Sequence, residues 1–252
     1  MYENLIAQWY EEERIAKIHG WDFSHIAARH EECGELPWDY HAEIARYRRD
    51  DQKLLDIDTG GGEFLLSLGH PYENTTATEN YAPNAALCRE KLAPLGITVC
   101  EADAKQKLPL ADASFDLVID RHGDFNAEEI YRVLKPGGVF VTQQVGAEND
   151  RALIELLLGE DTALPFPEQT LAQTKEKFEC AGFSILAAQE AFRPIRFYDV
   201  GALVWFARVI KWEFPNFSVK KCLPQLLRAQ EFLEENGCIE AMTHRFLLVA
   251  KR

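Results

Sequence analysis

A chain of 252 residues, 47% hydrophobic and 27% charged, holds enough apolar material for one α/β domain with additions and too much to stay disordered. Its 27 Lys+Arg against 41 Asp+Glu leave a net charge of −14, which disfavours a nucleic-acid partner, because binders of the phosphate backbone usually carry a basic surplus. The six cysteines form no C-x-x-C pair and the seven histidines no H-x-H or H-x-x-x-H pair, so reduced thiols and no metal site are expected.

The first segment, MYENLIAQWYEEER, puts acids where a secretion signal needs basic residues and then an apolar run. Residues 1 to about 50 read as helical, with Leu5, Trp9 and Ala16 at roughly helical spacing and Pro37 separating helices on either side. From Lys53 the pattern becomes short apolar runs alternating with helical stretches. Strands are expected over 53–57, 75–78, 97–100, 115–119, 139–145, 183–188 and 244–250. Helices are expected over 63–68, 83–92, 127–134 and 148–158, and around Leu171–Ala181. Lys135-Pro136-Gly137-Gly138 reads as a helix stop followed by a turn. The most apolar stretch, Val200–Ile210, is interrupted by Arg208 and falls short of the ~20 residues that span a bilayer. It reads as a buried helix, so no membrane association and a cytoplasmic location are expected. Alternating strands and helices imply a parallel sheet built with right-handed crossovers.

The most informative run is Leu54-Leu55-Asp56-Ile57-Asp58-Thr59-Gly60-Gly61-Gly62-Glu63. A strand that feeds a glycine turn and then a helix start brings backbone N–H groups up to a ligand where side chains would collide. Open α/β sheets bind ligands at this carboxyl edge. Two nucleotide-type readings compete. A dinucleotide fingerprint wants a small third residue, and Gly60-x-Gly62-x-x-Leu65 supplies a leucine, which disfavours a nicotinamide cofactor. Glu79 could hold a ribose in either reading.

Four signatures in order separate the two. Asp56 with Gly60 and Gly62, Glu79 at the end of the second strand, and Ala102-Asp103-Ala104 with Leu108-Pro109-Leu110 and Ser114-Phe115-Asp116 are followed by Arg132-Val133-Leu134-Lys135-Pro136-Gly137-Gly138. On these residues the sequence resembles the class I S-adenosylmethionine-dependent methyltransferases, particularly the type 11 group, over roughly Leu54–Val145. The resemblance implies a Rossmann-like, doubly wound seven-stranded sheet whose last strand is antiparallel. It implies S-adenosyl-L-methionine as cofactor and S-adenosyl-L-homocysteine as product.

It also implies roles. Gly60 and Gly62 would admit the methionine moiety, and Asp56 would orient the loop. Glu79, with Asn80 beside it, would accept the ribose hydroxyls. Asp103 would take the adenine amino group while Ala104 offers a backbone N–H. Asp120, Arg121 and His122 would end the fourth strand at the edge facing the transferred methyl group. The histidine, with an ordinary pKa of ~6.5, would be a candidate base. Asp58 departs from the pattern because it stands where the family has its first glycine. Its carboxylate could pair with the cofactor's amino group or crowd the methionine portion.

Trp38, Tyr40, Phe197, Tyr198, Trp205 and Trp212 are candidates for a substrate lid. The expected organisation is a helical cap over 1–50, a cofactor-binding core over 51–191, a substrate-cap insertion over 192–243 and a last core strand over 244–252. The expected reaction is methyl transfer to a small-molecule acceptor. An RNA or protein methyltransferase, or a catalytically silent cofactor-binding module, are the alternatives.

Overall fold

The computed structural model describes residues 2–17 and 22–252. Met1 and residues 18–21, part of the expected N-terminal helical region, lie outside the described residues. In chain order the elements are α1 (Glu3–Ile15), β1 (His30–Glu32), α2 (Tyr40–Tyr47), β2 (Leu54–Ile57), α3 (Glu63–Ser67), β3 (Thr75–Glu79), α4 (Ala82–Lys91), β4 (Thr98–Glu101) and β5 (Phe115–Arg121). They continue with α5 (Ala127–Val133), β6 (Leu134–Val145), α6 (Arg151–Leu158), α7 (Leu171–Cys180), β7 (Ser184–Phe197), α8 (Val200–Val209), α9 (Leu223–Asn236) and β8 (Ile239–Lys251).

The chain divides into two compact units. The first takes Pro37–Gly146, Gln169–Ala191 and Arg245–Arg252. Its strands run in the order β7-β8-β6-β5-β2-β3-β4. β2 pairs in parallel with β3 and β5, β3 with β4, and β5 with β6, while β8 runs antiparallel to β6. The expected seven strands and the reversed last one are therefore present. Because side chains alternate across a strand, one face of the sheet carries Leu55, Ile57, Val118, Phe140 and Leu248, packed with Ile130 of α5 and Phe178 of α7. Gln143, of opposite parity to Phe140, faces the other way and meets Trp38 just before α2. Helices thus cover both faces.

Local chemistry fixes the ends of these helices. Asp39 caps α2 by accepting from the His41 and Ala42 N–H groups at 2.9 and 3.2 Å, and Asn126 caps α5 through the Glu128 and Glu129 N–H groups at 2.9 and 3.3 Å. A proline sits in the first turn of α4, where its missing N–H costs nothing. The expected stop-and-turn at Lys135–Gly138 is instead part of β6, which begins at Leu134. The chain end explains this, because Gly137 N–H donates to the Arg252 carbonyl and Arg252 N–H to the Gly138 carbonyl, both at 2.9 Å.

The second unit takes the residues up to Leu36, Ala147–Glu168 and Phe192–His244. Residues 37–50 thus pack in the first unit and residues 147–168 in the second, a division that differs from the expected ranges. Leu153, Ile154 and Leu157 explain the latter, joining Trp9, Phe197, Leu203 and Leu226 in one apolar cluster. α8 is buried along nearly its whole length, as its almost unbroken apolar sequence requires. β7 runs to Phe197, well past the expected 188, because β1 pairs antiparallel with its far end through His30↔Phe197 and Glu32↔Ile195. β1, an eighth strand, had no sequence signal, since His-Glu-Glu shows no apolar alternation. Among the described residues no helix is long and apolar enough to cross a membrane.

Candidate functional site

The carboxyl ends of β2, β3 and β5 gather the signature residues. After Ile57 the chain turns sharply through Asp58 (φ 49°), Gly60 (φ 63°) and Gly62 (φ 79°) before α3. A Cβ at Gly60 would meet nothing within 4 Å, so the loop backbone there borders open space. A Cβ at Gly62 would lie 2.8 Å from Leu92 Cδ2, so that glycine is needed for close packing. Asp58 adopts the left-handed conformation that glycine takes freely and that aspartate tolerates better than most residues.

Glu79 closes β3 and binds this loop directly. Its Oε2 accepts the Gly60 N–H at 2.9 Å and the Asn84 side-chain amide at 3.4 Å, while Oε1 accepts the Tyr81 N–H at 2.9 Å. Three of the carboxylate's roughly four acceptor positions are thereby used. The long Asn84 contact is the one most easily exchanged for another donor. Asn80 is exposed. Asp103 turns the chain after β4 by accepting the Lys105 N–H at 2.9 Å, and the Ala104 carbonyl accepts the Asn126 N–H at 3.0 Å.

Beyond β5 the chain folds back over Asp58. Asp124 N–H donates to Asp58 Oδ2 at 3.2 Å. A Cβ at Gly123 would lie 2.4 Å from Asp120 Oδ1 and 2.7 Å from Asp58 Cβ, so only glycine fits between the two acids. Asp120 is fully buried, and its Oδ2 accepts from the Thr142 hydroxyl at 2.9 Å and from the Gln144 amide. Asp58 Oδ1 is buried without a hydrogen-bonding partner, whereas the Gly123 backbone N–H supports the Asp120 carboxylate. Burial pushes the Asp56 carboxyl up to about 7, with Asp58 and Glu79 adding to the effect. Burial, then Glu79, does the same to Asp58, again to about 7. Burial holds Asp120 well above the usual carboxylate range.

His122 does not titrate near neutrality as expected. Burial, then Arg245 and Arg121, brings its imidazole down to about 3. Hydrogen bonding gives a second reason. The Trp38 indole can only donate, and it donates to Gln143 Oε1 at 2.8 Å. Gln143 must then turn its amide toward His122 Nε2, 3.2 Å away, so that nitrogen accepts and the ring is neutral. The lone pair a base would use is already engaged.

Tyr40 is also part of the frame. Its buried hydroxyl lies 2.7 Å from the Asp120 carbonyl and 3.1 Å from the Val141 carbonyl, and accepts the Asp120 N–H at 3.2 Å. Its ring stacks on Phe64, over which the Arg121 guanidinium sits at 5.2 Å. Trp38 and Tyr40 therefore brace β5 and β6. The other aromatic candidates lie in the second unit, where Phe197 and Trp205 are core residues instead of lid residues, with Trp205 packed on Phe23 and His25. Tyr198 is exposed, with its hydroxyl on Glu31, and Trp212 is exposed. Sequence reading missed Asn84, Gln143, Gly123 and Asp124. Only Gly123, in the Arg-His-Gly run that ends β5, carried any signal.

Residues 55–142 match the sequence model of a methyltransferase domain. A sterol 4-C-methyltransferase of Caenorhabditis elegans is 34% identical over 108 residues, covering 38% of this chain and 32% of that relative. The chain thus spans about a third of that relative's length. YcgJ of Bacillus subtilis superposes with a TM-score of 0.58 at 17% identity, covering 84% of this chain and 97% of that one. A protein solved as a candidate methyltransferase of Bacillus halodurans gives 0.55 at 17% identity, with the same coverage. At such identities the two structures show the fold alone. Residues 55–142 thus match a methyltransferase domain over about a third of the chain, and they lie on a Rossmann-like sheet.

Proposed function

We propose that the protein binds S-adenosylmethionine at the carboxyl ends of β2, β3 and β5 and transfers its methyl group to a small-molecule acceptor. The carrying observation is the direct bond from the Gly60 N–H to Glu79, which joins the glycine loop to the acid that closes the second parallel strand. The residues suit such a ligand. Open space borders Gly60, a buried carboxylate oxygen of Asp58 lacks a partner, and Glu79, Asp103 and Asp120 stand at or just after neighbouring strand ends. Acceptors match a ligand that carries a sulfonium, an ammonium and a ribose diol. Glu79 would hold the ribose once Asn84 yields, Asp103 and the Ala104 N–H the adenine, and the loop from Asp56 to Gly62 the methionine portion.

When bound, the cofactor supplies a methyl group activated by the positive sulfur. The chain's part is then to hold the acceptor atom in line with it. Neutral His122, locked through Gln143 to Trp38, is a positioning residue under this reading and not a base. The sterol methyltransferase relative favours a small-molecule acceptor, and the net charge of −14 speaks against RNA.

Calorimetric titration with S-adenosylmethionine and S-adenosylhomocysteine, followed by a screen for homocysteine release over sterols, amines and phenols, tests the proposal. Micromolar binding with turnover on at least one compound is expected. No binding of either ligand at millimolar concentration would refute it. A catalytically silent module is the second reading, favoured by the Asp58–Asp124 bond across the loop. Tight binding with no turnover on any compound class would select it.

A further inference from the structure

Asp58 departs from the glycine motif that this sequence otherwise resembles, and its surroundings suggest a use for the departure. Its backbone keeps the left-handed turn, with φ 49°, so the loop's path is preserved and only a carboxymethyl group is added. That group is anchored on one side, where Oδ2 accepts the Asp124 N–H at 3.2 Å. Its other oxygen, Oδ1, is buried and unpartnered, and glycine is the only residue that fits at position 123, between Asp58 and fully buried Asp120. A buried carboxylate oxygen without a donor costs free energy unless a ligand supplies one. Such an oxygen on Asp58, set among further acids, calls for a compact cation with N–H donors.

We propose that Asp58 is a specificity-determining residue whose carboxylate receives the α-ammonium of the cofactor's amino-acid tail, adding a charged contact that a glycine loop cannot make. This rests on the S-adenosylmethionine reading above. The other groups around Asp58 are acids: Asp56 on β2, Glu79 on β3, Asp103 after β4, and Asp120 and Asp124 on and after β5. Lys105 Nζ is committed to Asp124 at 2.6 Å, so a cationic ligand meets little competition from within the protein. With its carboxyl at about 7 in the free protein, Asp58 must lose its proton to pair with an ammonium. Binding should therefore release a proton near neutral pH and strengthen as pH rises.

Three ligands separate the possibilities. S-Adenosylhomocysteine carries the ammonium, S-adenosylmethionine carries the ammonium and the sulfonium, and 5′-methylthioadenosine carries neither. Calorimetry on the intact chain should show S-adenosylhomocysteine binding about tenfold more tightly at pH 8 than at pH 6, the factor expected when one carboxyl with a pKa near 7 must ionise. Asp58→Asn and Asp58→Gly should each weaken it by about tenfold or more at pH 8 and flatten the pH dependence. 5′-Methylthioadenosine should change less than about twofold in both variants. Glycine takes the left-handed turn without strain, so Asp58→Gly keeps the loop. Wild-type affinity for S-adenosylhomocysteine in both variants would overturn the inference, as would equal weakening of all three ligands. If the wild-type protein bound none of them, the S-adenosylmethionine reading would fall as well.

Discussion

The clearest test of the acidic edge is a change that makes the ligand-free protein more stable. Asp58→Asn keeps the shape of the side chain and an oxygen for the Asp124 N–H, and removes only the capacity to ionise. In the fold this carboxyl stands at about 7 against its ordinary 3.8, because burial and Glu79 oppose the charged form. The folded state therefore holds a proton that the unfolded chain releases. The unfolded form binds fewer protons between these two values, so Asp58's contribution to stability is intact below about pH 4 and is lost as pH rises to about 7. At about 1.4 kcal/mol per pH unit, the gap sets a ceiling of about 4 kcal/mol, of which about 2.7 falls between pH 5 and pH 8. Partial exposure screens the group, and about 1 kcal/mol is a realistic size. For a chain of this length that raises the thermal midpoint of the variant over wild type by about 2–4 °C more at pH 8 than at pH 5. Thermal unfolding followed by tryptophan fluorescence at both pH values reads this directly. A midpoint difference that is the same at pH 5 and pH 8, or one that favours wild type at pH 8, would refute the assignment of a desolvated carboxyl.

Gly62→Ala should cost about 2–4 kcal/mol, combining a left-handed residue with a Cβ 2.8 Å from fully buried Leu92. Gly60→Ala, with open space at its Cβ, should cost only about 1–2 kcal/mol; equal losses in urea unfolding would show that Leu92 does not constrain the turn. His122 should remain neutral from about pH 8 to pH 5, so its imidazole nitrogen shifts in NMR should not move, and a midpoint above about 5.5 would contradict its burial and its bond to Gln143. Glu79→Ala should weaken S-adenosylhomocysteine binding at least about tenfold, since it removes a charged acceptor from the ligand and the tether from Gly60. An unchanged dissociation constant would remove Glu79 from the cofactor site.

Much of this site was legible because its parts are local. The glycine turn, the acid closing β3 and the Asp103 turn each sit within a few residues of a strand end, and the spacing of apolar runs located those ends. What stayed hidden depends on residues far apart in sequence. Nothing around His122 tells that Trp38, far upstream, fixes Gln143 and through it the imidazole tautomer. Aromatics failed as lid markers for a related reason. Phe197 and Trp205 look the same in sequence whether they line a pocket or fill a core, and only their partners, His30 in one case and Phe23 and His25 in the other, decide it. β1 was invisible because an edge strand of three residues needs no apolar pattern when its partner supplies the burial.

The acids at the strand ends also connect stability to ligand binding. A sheet edge could satisfy its glycine loop with backbone donors and acceptors alone, yet this chain places Asp56, Asp58 and Asp120 within mutual electrostatic reach, each burdened by burial. Unpaired, they weaken the fold at neutral pH, and this cost is not offset by any lysine or arginine among the hydrogen bonds of Asp58 and Asp120. Side chains that only reduced stability could be replaced by asparagine with little loss of shape. Their arrangement is better explained by a cation that arrives from outside, because the same desolvation that disfavours the free carboxylates strengthens their attraction to a positive ligand that displaces the remaining water. Asp58 is the decisive member: a glycine there would relieve both the backbone strain and the charge, so a carboxylate held at φ 49° with one oxygen free makes physical sense chiefly as a ligand contact.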